Sequence, residues 1–87
     1  MNYKRKTEIV EAFKYRVDEK PQWFRDLIGI GIAHEFALLS YPEQYVCDIM
    51  TTKGILRAYE GDYIMKNANN EIYPCMADTF ESVYELV

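Results

Sequence analysis

The sequence predicts an α+β fold: an N-terminal strand, one short amphipathic helix, then an antiparallel β-meander with a short C-terminal helical turn and strand. Three observations predict it. β-Branched and aromatic residues cluster in short runs with an approximate period of two. One stretch, Pro21–Ile28, switches to helical spacing. Gly, Asn and Asp punctuate the second half at short intervals, as hairpin turns require. At 87 residues, 49% hydrophobic and 15% aromatic, the chain reads as one domain spanning 1–87 with a small core, too apolar for an ordinary disordered segment.

The first strand is expected over Thr7–Tyr15. Ile9, Val10, Ala12, Phe13 and Tyr15 break strict alternation, so either both faces are partly covered or a bulge sits near Ala12. Pro21 then suits the first turn of a helix, where its missing N–H would have no partner. Trp23, Phe24, Leu27 and Ile28 form one apolar stripe, leaving Gln22, Arg25 and Asp26 outside. Gly29 or Gly31 can end the helix with a positive φ.

Strands follow over Ile32–Leu39, Tyr45–Thr51, Ile55–Tyr59, Tyr63–Lys66 and Glu71–Tyr73. Phe36 and Leu38 are expected on one core-facing side of the first, sharing it with His34. The turns are Ser40–Glu43, Thr52-Lys53-Gly54, Glu60-Gly61-Asp62 and Asn67–Asn70. Such a meander can twist into a half-barrel. Asp78-Thr79-Phe80-Glu81 has the form of a capping box, with Asp78 as the cap and Phe80 and Val83 pointing inward. Ser82–Leu86 then runs on as a final strand. Phe13, Trp23, Phe24, Phe36 and Phe80 are the expected core anchors.

The charge pattern excludes more than it identifies. The net charge of −4 combines +3 over residues 1–25 with −7 over residues 26–87. Nucleic-acid binding is not expected, because stacking platforms work beside a basic groove and most of the eight tyrosines lie in the acidic part. No apolar run reaches the roughly 20 residues that span a bilayer. The basic cluster near the start is followed by no long apolar stretch, so neither a membrane partner nor a secretory leader is expected and the cytoplasm is the predicted location.

No constellation for catalysis is evident. His34 is the sole histidine, and Cys47 and Cys75 lack paired CxxC spacing, so they read as small buried thiols. Cys–His catalysis would need one thiol held beside His34 with an orienting third group. Gly29-Ile30-Gly31 follows a helix instead of opening one and lacks the Lys-Ser/Thr pair of a phosphate loop. No metal and no cofactor is expected. The tyrosines exceed what one small core can hide, so Tyr45, Tyr59, Tyr63 and Tyr73, with His34, are the candidate binding residues. The leading expectation is a non-enzymatic protein-interaction module. The alternative is a small-ligand, nucleotide-like module with a pocket between sheet and helix.

Three segments carry a more specific pattern: Thr52–Lys66 with its Gly61-Asp62-Tyr63-Ile64, then Glu71-Ile72-Tyr73-Pro74-Cys75, then Asp78-Thr79-Phe80-Glu81-Ser82-Val83-Tyr84-Glu85. With Val10-Glu11-Ala12-Phe13 and Pro21-Gln22-Trp23-Phe24, this ordered series resembles a widespread family of small uncharacterised proteins encoded by tailed bacteriophages and prophages. At Asn67–Asn70 many members have a Gly-containing turn. Asn also tolerates positive φ. The resemblance covers nearly the whole chain and implies a complete small phage protein acting in the bacterial cytoplasm. It implies an accessory status and supplies no catalytic residue, and the partner expected of the interaction module is a host protein, a phage protein or a second copy of the chain.

Overall fold

The computed structural model describes residues 1–5, 8–39 and 42–86. The expected strand start at Thr7 and the turn residues Ser40 and Tyr41 lie outside them. The fold is α+β, with antiparallel strands throughout: β1 (Asn2–Arg5), β2 (Glu8–Lys14), α1 (Gln22–Gly29), β3 (Ala33–Leu38), β4 (Gln44–Thr51), β5 (Gly54–Tyr59), β6 (Tyr63–Lys66), β7 (Ile72–Cys75), α2 (Ala77–Val83) and β8 (Glu85–Leu86). They form two sheets. The larger has the order β7-β6-β2-β1-β8 and the smaller the order β3-β4-β5. β1 precedes the first strand that the residue pattern predicts.

The meander changes sheet at one corner. β5 pairs with β4, but β6 pairs with β2, in the register Ala12↔Met65 and Phe13↔Ile64. Gly61 adopts φ +91° there, and its N–H donates to the Tyr15 carbonyl while the Tyr15 N–H donates to that of Asp62. A side chain at this φ would be strained, so glycine permits the turn that moves the chain between sheets.

The broken alternation in β2 reflects burial on both faces, and the β2–β6 ladder runs past Ala12 without a bulge. Phe13 and Tyr15 face a first core with Phe24, Ala33, Cys47, Ile49, Ala58 and Ile64, beneath α1 and the small sheet. Val10 and Ala12 face a second core with Tyr63, Met65 and Phe80, closed by α2. Phe13 packs against Phe24 with ring centroids 4.8 Å apart. Phe24 is fully buried, whereas Trp23 is half-buried with the Lys66 ammonium 5.4 Å over its ring, so Phe24 is the deeper anchor.

α1 ends on Gly31, at φ +81°. The Gly31 N–H donates to the Ile28 carbonyl and the Ile32 N–H to that of Leu27, the paired bonds of a Schellman cap. α2 corrects the capping-box expectation. It begins at Ala77 after Met76, with no side-chain cap, and places Asp78 in its first turn. Glu81 turns instead to the Tyr63 hydroxyl, which donates to it at 3.0 Å, and to the Lys14 ammonium at 3.8 Å. Phe80 is buried as expected, whereas Val83 stays 43% exposed. A two-turn helix lying on a sheet covers it with a narrow stripe, which Phe80 and Ala77 fill.

Candidate interaction surface

In the small sheet, β4 lies between β3 and β5, and the register aligns side chains in rows. Phe36, Val46 and Tyr59 form one row, His34, Asp48 and Arg57 the next, and Met50 pairs with Ile55 in a third. Alternation puts these rows on one face and Ala33, Glu35, Cys47, Ile49, Leu56 and Ala58 on the other. The second set includes first-core residues, so the first set faces away from the core.

This outcome reverses the expectation for β3. Ala33 is buried, while His34 is exposed and Phe36 and Leu38 are only partly covered. Space beneath β3 is already taken by Tyr15, whose ring is fully buried. Its hydroxyl donates to Glu35 Oε2 at 2.8 Å, and Lys20 Nζ donates to Glu35 Oε1 at 2.9 Å. A buried hydroxyl needs such a partner. Phe36 on that face would leave Tyr15 without its short carboxylate bond and only the Val46 carbonyl at 3.5 Å, so the polar match favours Glu35 on the inner side of β3.

The outer face is apolar at both ends and charged in the middle. Met50, Ile55 and Tyr59 are 60%, 66% and 47% exposed. Arg57 grips Asp48 through two bonds, Nε to Oδ1 at 2.8 Å and a terminal nitrogen to Oδ2 at 3.1 Å. Hydrogen bonding from Arg57 holds the Asp48 carboxyl below its ordinary range, and Asp48 in turn raises the guanidinium. The same guanidinium lies 5.1 Å over the Phe36 ring. Ion pair and ring thus fix one another in the centre of the face. Ile9, Val17, Ile30 and Leu39 are also exposed, but none is aligned with other apolar side chains by strand pairing as Met50 is with Ile55.

The five candidate residues do not form one site. His34 and Tyr59 share the outer face. Tyr45 lies at the sheet's end with the Arg16 guanidinium 4.1 Å over its ring. Tyr63 is buried, stacked on Phe80 at 4.0 Å. Tyr73 is half-buried in the second core, its hydroxyl accepting from Asn67 Nδ2. Val46, between Phe36 and Tyr59, is fully buried, whereas Phe36, Met50 and Ile55 join the outer face although none is among those candidates. Their signal was present in the two-residue turn Thr52-Lys53, which fixes the β4–β5 register and aligns Val46, Asp48 and Met50 with Tyr59, Arg57 and Ile55.

Cys47, Cys75 and His34 are not brought together. Cys47 is buried in the first core, where burial, reinforced by Glu35, pushes its thiol up to about 11. His34 pairs with Asp48 on the opposite face, and Cys75 sits in the other sheet beside the second core. Among the described residues no helix is long and apolar enough to cross a membrane. Comparison with family models, with curated proteins and with solved structures found no match.

Proposed function

We propose that the chain is a non-enzymatic protein-interaction module that binds a partner protein through the outer face of its small sheet. The observation that carries this reading is the alignment of Met50, Ile55, Phe36 and Tyr59 around a bidentate ion pair on a face turned away from both cores. Aromatic residues, Met and Arg are the types enriched where proteins meet. A central, pre-arranged Arg beside an aromatic ring is a common form of binding hot spot. Three of the four sheet edges are poorer candidates: β7 carries Pro74, β8 has two residues, and β3 holds the inward charge of Glu35, all features that discourage strand addition. The resemblance to phage and prophage proteins supports a bacterial cytoplasmic setting and a host or phage protein as the partner.

A photo-crosslinking amino acid placed at Ile55, and separately at Val83, tests the reading in cells that make the protein. Position 55 should yield one defined heteromeric adduct that Tyr59→Ala diminishes, and position 83 should not. An adduct of the chain with itself would replace the partner by a second copy. Equal adduct patterns at both positions would overturn the assignment of the face.

A further inference from the structure

A cleft of about 650 Å³ opens where the C-terminal end of α1, the β4–β5 turn and the start of β7 meet. Leu27, Ile32, Leu56 and Ile72 give it apolar walls, and exposed Lys53 and Glu71 stand on its rim. That volume lies in the range of small-molecule sites, roughly 300–1,000 Å³. Lys53 is distinctive in its electrostatics. Lys14, Arg16, Lys20, Arg25, Arg57 and Lys66 each pair with a carboxylate. Among the cations whose side chains are described, Lys53 alone has no such partner.

We infer that this cleft binds a monoanionic amphiphile, an alkyl carboxylate whose chain lies between the apolar walls and whose head meets Lys53. Two features set the charge. One lysine offers a single ammonium, and a carboxylate is its simplest complement. Glu71 shares the rim and is held by its own turn, accepting from Asn67 Nδ2 at 2.9 Å, so a second negative charge on the ligand would meet repulsion. The expected nucleotide-like ligand therefore fits poorly, because a polyphosphate needs several donors and cations. The site borders the outer sheet face at Met50, which also lines the cleft, but its other apolar walls come from the inner side of that sheet, from α1 and from β7.

Amide chemical shifts of the full chain, titrated with decanoate below its micelle-forming concentration, test the inference. Saturable shifts should centre on Leu27, Ile32, Lys53 and Ile72. Affinity should rise about fourfold per methylene from hexanoate to decanoate. Lys53→Gln should weaken decanoate about fivefold, leave decanol unchanged, and be rescued by Lys53→Arg. Lys53 is exposed in a turn, so its replacement leaves the fold intact. Absence of saturable shifts, equal binding of decylamine, or shifts centred on Tyr59 and Ile55 would each overturn the inference.

Discussion

The two faces of the large sheet are covered in different ways. On one side Phe13, Tyr15 and Ile64 lie under both a helix, through Phe24, and a second sheet, through Cys47 and Ile49, a layer thick enough to bury whole side chains. On the other side the cover is the seven-residue α2, and the core beneath it is largely aromatic. Tyr63 and Tyr84 both stack on Phe80, at 4.0 and 4.7 Å, and Tyr3 meets Phe80 edge-on at 4.9 Å. Tyrosine suits a thin layer, because its ring can be buried while its hydroxyl reaches a polar edge. Tyr63 does so with Glu81, and Tyr73 with Asn67. The tyrosines that the sequence left over therefore have a structural use: of the seven described, only Tyr45 and Tyr59 are exposed.

The contrast can be broken at its two anchors. Phe24→Ala should have the largest effect, about 4 kcal/mol, because the void opens where helix and both sheets meet and no element can move in to fill it. Urea denaturation should show one cooperative transition at a much lower midpoint. Phe80→Ala should cost less, about 3 kcal/mol, since α2 can shift or release locally. Hydrogen exchange should then show lost protection in 77–86 with β3–β5 still protected. Equal loss in β3–β5 would mean that the two cores unfold as one unit.

Alkaline pH sharpens the comparison with a smaller effect, on the order of 2 kcal/mol. Burial raises the Cys47 thiol from 9.0 to about 11, and burial together with bonds to Glu35 and Glu81 raises the Tyr15 and Tyr63 hydroxyls above 10.0. The folded chain keeps these protons at pH values where the unfolded chain has lost them. Their stabilisation is therefore intact below pH 9 and declines as pH rises through 11. The urea midpoint should stay level up to pH 9 and then fall. Cys47→Ala should delay the fall until the tyrosines begin to ionise near pH 10. A midpoint unchanged up to pH 11 would contradict the burial of these groups.

Local features were legible wherever local chemistry decides them. The helix was readable from Trp23, Phe24, Leu27 and Ile28, and the turns from Gly54, Gly61 and Asn70, all three at positive φ. The candidate site was readable only in part. His34 and Tyr59 reach the outer face, but Tyr63 is consumed by stacking on Phe80, and a single tyrosine carries no sign of whether a ring awaits it across the sheet. Asp78 and Glu81 have capping-box spacing, yet the bond to Tyr63 draws Glu81 away from the helix start.

The sequence by itself determined the α+β class, the helix and the hairpin turns, because each follows from periodicity or from a residue's own backbone preference, and it left β2 open between two-sided burial and a bulge. Tertiary structure alone decided which face of β3 is covered, which strand β6 joins, and that the aromatic surplus divides between two cores. Period-two alternation defines two faces but does not say which one meets the core. That choice was favoured across the chain by Tyr15, whose hydroxyl donates to Glu35, and by the sheet-switching corner at Gly61.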